Sequence, residues 1–187
     1  TITNGYEYGL NGGGIHLRGA SPLISNVTIH SNHAHDGGGI YMLWSYPEIY
    51  NTDITNNSAI VEGGGITITE SAPKFNNVNI INNYSAYGGG IVMSTHSAPI
   101  LENVTIAWNE SAHNGGGICL NDNNPEFSFS NVIIHHNEAQ NNGGGIWGRY
   151  SNGNIYNVVI SDNIAENYGG GIYFQEEMNV DFLNSIV

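Results

Sequence analysis

Positive charge is scarce in this chain: Arg18, Lys74 and Arg149 are its three basic residues, against sixteen acidic ones, for a net charge of −13 over 187 residues. A nucleic-acid partner needs a basic face to neutralise phosphates, and three cations cannot assemble one. The same shortage argues against an anionic lipid surface. Cys119 is the single cysteine, so no internal disulfide can form and cysteine usage says little about redox compartment. Apolar runs all fall short of the ~18 residues of a membrane span. No signal-peptide pattern is present, as is also true of an exported precursor after processing. Charged residues make up only 10% of the chain, against a usual ~25%. Glycine and asparagine take their place, and both accept the left-handed backbone of tight turns.

Those two residue types recur at fixed intervals. Gly-Gly-Gly-Ile starts at Gly12, Gly37, Gly63, Gly88, Gly115, Gly143 and Gly169, with steps of 25, 26, 25, 27, 28 and 26 residues. A second marker runs in phase: Asn26-Val27-Thr28-Ile29, then Asn51, Asn77, Asn103, Asn131, Asn157 and Asn184. One unit of roughly 26 residues used seven times is the signature of a solenoid.

Residues 37–59 serve as a model coil. Gly-Gly-Gly-Ile-Tyr-Met reads as a short strand with Ile40 and Met42 inward and Tyr41 outward, by alternation. Ser45-Tyr46-Pro47 marks a turn. Ile49 points inward from a second strand that ends at Asn51, and Thr52 and Ile54 point inward from a third. Asn57-Ser58-Ala59 begins the last turn. Overlaid, the coils give apolar inward columns: Ile15, Ile40, Ile66, Ile91, Ile118, Ile146 and Ile172 on the first strand; Ile24, Ile49, Phe75, Leu101, Phe129, Ile155 and Phe182 on the second; Ile29, Ile54, Ile80, Ile106, Ile134, Ile160 and Val187 on the third. Stacked at ~4.8 Å, these faces bury one another in a continuous core. The expected fold is all-β: a right-handed, single-stranded parallel β-helix of about seven coils, each with three short strands. Helical repeats are excluded, because glycine triplets and prolines would fall inside helices. A phosphate-binding loop needs a helix after the glycines, whereas strands follow these.

The asparagines form two expected ladders inside turns. Asn26, Asn51, Asn77, Asn103, Asn131, Asn157 and Asn184 sit at a bend between strands, where asparagine accepts the left-handed backbone and its amide can bond to the next coil. Asn32, Asn57, Asn83, Asn109, Asn137 and Asn163 lie three residues after the third-strand isoleucine. Asn26-Val27-Thr28 matches a glycosylation sequon but is discounted here, because a ladder position is expected to be buried.

Gly38-Gly39-Ile40, preceded by Ile29-His30-Ser31-Asn32 and repeated along essentially the whole chain, resembles the repeats of chlamydial polymorphic membrane proteins and related bacterial surface β-helix proteins. The family's Gly-Gly-Ala-Ile is Gly-Gly-Gly-Ile here, and its Phe-x-x-Asn is Ile-x-x-Asn. The resemblance implies an extracellular or cell-surface segment used in adhesion, with no catalytic residues to carry over.

Chemistry-bearing residues are sparse. β-Helices also include enzymes that resemble pectate lyases, which use calcium-binding acidic clusters beside Arg or Lys. Arg18 and Arg149 lie five coils apart, ~24 Å, and neither has an evident acidic cluster. Asn51-Thr52-Asp53 matches a polygalacturonase-like Asn-x-Asp, but it falls on the ladder bend and no Gly-His-Gly accompanies it. Asp36 and Glu62 occupy one turn position in adjacent coils, ~5 Å apart, and are the best carboxylate pair and a weak candidate calcium site. No other cofactor is expected. His30, His33 and His35 beside Asp36 form a conceivable zinc or copper turn, four coils from His135-His136. The outward column His16, Tyr41, Thr67, Val92, Cys119, Trp147, Tyr173 is joined by Trp44, Tyr46 and Tyr150. Tyr41, Trp44 and Tyr46, and separately Trp147, Tyr150 and Tyr173, make two aromatic clusters that can stack on sugars or pack against protein.

The chain opens and closes on the third strand with no capping helix or polar coil in view. Solenoids need caps to cover strand edges. The expectation is therefore a single β-helix over 1–187, uncapped at both ends, either an excerpt of a longer chain or an axially stacking unit. Expected partners are flanking coils or further copies, and surface glycans or a host protein. The expected function is a non-enzymatic structural or adhesive segment, with a carbohydrate-active enzyme or a glycan-binding module as the alternative.

Overall fold

The computed structural model describes residues 1–121 and 126–187. Among them the strands form three sheets of eleven, seven and six strands, and every named pairing is parallel, to the equivalent segment one coil away. The fold is a parallel β-solenoid of about seven turns, as the periodicity predicts. No described helix is long and apolar enough to cross a membrane.

The glycine-led sheet stacks Ile15–Arg18, Ile40–Leu43, Ile66–Thr69, Ile91–Ser94, Ile118–Asn121, Ile146–Arg149 and Ile172–Phe174. Ile40 pairs with Ile66, Ile66 with Ile91, Ile91 with Ile118 and Ile118 with Ile146, and all five are fully buried. Burying each such side chain contributes on the order of 1.5–3 kcal/mol. Gly148 interrupts the neighbouring inward column, and Met178 fills its place: a Cβ there would lie 2.8 Å from the Met178 methyl carbon.

The triplets themselves answer to two constraints. Gly37 has φ +64°, a left-handed turn residue. Gly38 is packed against backbone, since a Cβ would lie 2.3 Å from the Ser58 carbonyl oxygen and 2.5 Å from that of Gly64. Coils therefore approach one another closely only through glycine.

Strand partition differs from the sequence reading. The expected second and third strands belong to one sheet, and in three coils they run on as single eight-residue strands, Glu48–Thr55, Lys74–Ile81 and Ile100–Ala107. The left-handed asparagine shifts the side-chain alternation by one residue without breaking the sheet, so Ile49, Thr52 and Ile54 all point inward. The true third sheet occupies the segment read as the last turn: His33–Asp36, Ser58–Glu62, Tyr84–Ser85, Glu110–Ser111, Glu138–Ala139 and Ile164–Ala165. Its inward column is Ala34, Ala59, Ser85, Ser111 and Ala139, buried but too small to give an apolar signal.

The two asparagine columns also differ from one another. Asn26, Asn51, Asn77, Asn103, Asn131, Asn157 and Asn184 have φ between 47° and 57°, but their side chains are exposed rather than enclosed. Exterior amide bonds link Asn77 to Asn51 at 2.7 Å and Asn157 to Asn131 at 2.6 Å, whereas Asn103 turns aside to Asn76. Burial thus gives no ground for discounting Asn26 as a glycosylation acceptor. Asn32, Asn57, Asn83, Asn109 and Asn137 are buried, with Asn163 half-buried. Each Oδ1 from Asn57 onward accepts the backbone N–H and the side-chain N–H of the asparagine one coil earlier. Each Nδ2 also donates to an isoleucine carbonyl of that earlier coil, as Asn83 does to Ile54 at 3.0 Å. This column satisfies backbone groups that water cannot reach.

Candidate ligand groove

The outward column of the glycine-led sheet is not an open face along its whole length. Thr67, Val92, Cys119 and Trp147 are buried, and Val92, Cys119 and Trp147 pack together with Tyr173 against them. A wall beside the column accounts for this. Asp36, Glu62, Tyr87, Asn114, Asn142 and Tyr168 each precede a glycine triplet and stack coil on coil. The left-handed glycine that follows turns the chain sharply, so the wall rises alongside the strand.

Between wall and strand lies a groove of about 330 Å³, lined by Glu62, Tyr87, Asn114, Cys119, Asn121, Trp147, Arg149 and Gln175. Arg149 Nε donates to Asn121 Oδ1 at 2.7 Å, and its guanidinium lies 5.7 Å from the Trp147 ring and 5.9 Å from that of Tyr150. The cation is thus held between an amide and two aromatic faces. Among the described residues Trp147 Nε1 and Asn142 Oδ1 are buried without a hydrogen-bond partner, and such groups are rare in folded proteins. Burial pushes the Glu62 carboxyl up, the Asp36 charge adds to this, and His35 opposes it. Burial likewise pushes the Cys119 thiol far up, so it is a packed apolar group rather than a nucleophile.

The other expected site residues are distributed as follows. Tyr41, half-buried, packs 5.1 Å from His16, and exposed Trp44 carries Arg18 at 5.3 Å with exposed Tyr46 two residues on. Tyr150 is exposed outside the groove lining, where its ring meets Arg149, and Tyr173 stacks on Tyr168 at 5.7 Å. The two aromatic clusters remain four coils apart. Lys74 is on the long-strand sheet, 3.7 Å from Glu48.

Asp36 and Glu62 are register partners, but Asp36 Oδ1 accepts the Glu62 backbone N–H at 3.1 Å and Oδ2 faces His35 Nδ1 at 3.1 Å. Calcium takes six to eight oxygens, and this pair offers few free ones. No group of three or more His, Cys, Asp or Glu converges among the described residues. His30, His33 and His35 do not form a common turn site: they face Ser31, Ser58 and Asp36 respectively. Tyr87, Asn114, Asn121 and Gln175 were missed as site residues. The first two were legible from register, because Tyr87 and Asn114 stand before a glycine triplet as Asp36 and Glu62 do.

A parallel solenoid with an aromatic-floored groove along one sheet is the class of protein that fold and site define. The chain matches the right-handed β-helix region family over residues 1–157 and again over 65–187, and it belongs to that family. Comparisons with curated proteins and with solved structures gave no match.

Proposed function

We propose that this β-helix is a non-enzymatic, extracellular structural or adhesive segment whose groove binds a glycan. The observation that carries the reading is Arg149, immobilised by Asn121, Trp147 and Tyr150 and facing a wall of Glu62, Tyr87 and Asn114. Amides, one guanidinium and one carboxyl around an aromatic floor suit sugar hydroxyls and a sugar's apolar ring face. Among the described lining residues Glu62 is the one carboxylate, whereas glycoside hydrolysis uses a pair flanking the bond. The surface-protein repeat resemblance supports the exported setting.

The test is a panel of neutral and uronic-acid polysaccharides, scored for binding and for cleavage products. Expected are binding without turnover, and weaker binding by Arg149→Gln and Glu62→Gln with circular dichroism unchanged. Binding indifferent to both substitutions overturns the reading. A carbohydrate-active enzyme is the second reading, favoured by the raised Glu62 carboxyl, which suits a general acid. Product formation abolished by Glu62→Gln would establish it.

A further inference from the structure

We propose that His135 and His136 form a copper(II) or nickel(II) site, with their two Nδ1 atoms as adjacent ligands of one ion. Consecutive residues of a strand point to opposite faces, so neighbouring imidazoles ordinarily cannot share an ion. Here the alternation fails. His136 has φ +54°, at the left-handed corner where the long-strand sheet gives way to the short one. The two rings consequently converge, with centroids 5.0 Å apart, planes at 85° and Nδ1 atoms 2.8 Å apart.

Ligand type, with that separation, narrows the metals. Ligands at right angles around an ion with bonds of about 2.0 Å lie about 2.8 Å apart, while a tetrahedral zinc with similar bonds needs about 3.3 Å. The observed 2.8 Å lies within reach of right-angled ligation but is equally an ordinary hydrogen-bond distance, so it is the imidazole donors with open positions beside them that point to Cu(II) and Ni(II). In the metal-free protein the two Nδ1 atoms share an N–H···N bond with N–H and lone pair aimed at each other, so ligation also requires each ring to turn until its Nδ1 points at one ion beside that line. Binding moves that single proton from Nδ1 to Nε2 of the same ring by tautomerisation. Both rings stay neutral, both Nδ1 lone pairs reach the ion, and no proton need leave the protein.

The surroundings support this arrangement. Trp108, at the same corner one coil earlier, stacks on His136 with centroids 4.2 Å apart and planes at 27°, which holds the ring's orientation. Asp162 occupies the corner one coil later and places a negative charge near His135. At the equivalent corner of another coil, His30 Nδ1 instead faces Ser31 Oγ at 3.0 Å, so the histidine pair is particular to this turn. With two protein ligands the remaining coordination positions are open to solvent.

The structure supplies its own reporter. Cu²⁺ bound at His136 quenches Trp108 at van der Waals distance, whereas Trp44 and Trp147 belong to other sheets and turns. The experiment is a titration of the folded chain with CuSO₄, followed by tryptophan fluorescence and by electron paramagnetic resonance. His136→Asn and His135→Thr restore the residues found at Asn56 and Thr55, so the corner keeps its fold. Expected are one tight Cu²⁺ per chain with a tetragonal spectrum showing two nitrogen ligands, and a quench that Trp108→Phe removes while binding persists. Either histidine substitution is expected to weaken binding by roughly tenfold or more. Binding unchanged in the His135→Thr/His136→Asn double variant, or a spectrum with fewer than two nitrogens, overturns the proposal.

Discussion

Asn83→Ala gives the sharpest test of how the solenoid is held together. Asn83 Oδ1 accepts the Asn57 backbone N–H at 2.9 Å and its side-chain N–H at 3.1 Å, and Asn83 Nδ2 donates to the Ile54 carbonyl and to Asn109 Oδ1, each at 3.0 Å. Alanine leaves two buried donors unpaired, the Asn57 amide and one Asn57 side-chain N–H, while the Ile54 carbonyl loses one bond but stays in the strand ladder. Asn109 Oδ1 keeps its bond to the Asn83 backbone N–H. Each orphaned group costs about 1–3 kcal/mol. The vacated amide volume is polar and large enough for one water, which recovers part of this, so the expected loss is about 2–4 kcal/mol. Asn77 is the control. It is exposed, and its role is a left-handed backbone at φ +56°. Asn77→Gly is expected to cost less than about 1 kcal/mol, because glycine adopts that φ freely. Urea unfolding at constant m-value measures both, and faster hydrogen exchange of the Asn57 amide reports the local defect directly. A loss below about 1 kcal/mol for Asn83→Ala, or a larger loss for Asn77→Gly than for Asn83→Ala, would refute the reasoning.

Three further outcomes are expected. Gly38→Ala drives a Cβ into two backbone carbonyl oxygens at 2.3 and 2.5 Å and should abolish folding or lower Tm steeply. Gly19→Ala, at φ +62° with nothing nearby, should cost only about 1–2 kcal/mol. Equal effects in thermal melts would contradict the close coil approach. Glu62 titrates above 4.5 in the folded state, first through burial and then through Asp36. The native state therefore holds the extra proton in that window, so stability falls as pH rises from 4.5 through the raised folded value, then levels off. Glu62→Gln should flatten that part of the pH–stability profile. Phe127 occupies the space that a side chain at position 153 would need, with ring atoms 2.6 Å from a Cβ there. Gly153→Ala should destabilise the fold, and Phe127→Leu in the same chain should recover part of the loss, as a double-mutant cycle would show.

Much of this molecule was legible before any coordinates. The 26-residue period, the isoleucine columns and the left-handed asparagines follow from residue types repeated in register, because stacked coils impose one environment on each position. The partition of strands was not legible, because Ala59 and Ser85 carry no apolar signal and Asn51 bends a strand without ending it. Exposure of the Asn51 column and burial of Cys119 and Trp147 were likewise hidden, since alternation says which face a side chain takes but not what stands beside that face.

The sequence by itself determined a stack of like coils with a filled apolar interior and glycine at the points of closest approach. Only the tertiary structure decided that Glu62, Asn114 and Arg149 border one groove, and that His135 and His136 turn their Nδ1 atoms toward each other. Both juxtapositions depend on corner angles set by single left-handed residues, Gly115 and Gly143 beside the groove and His136 at the opposite bend. Spacing along the chain records where such a residue stands, and packing between coils settles where its neighbours then point.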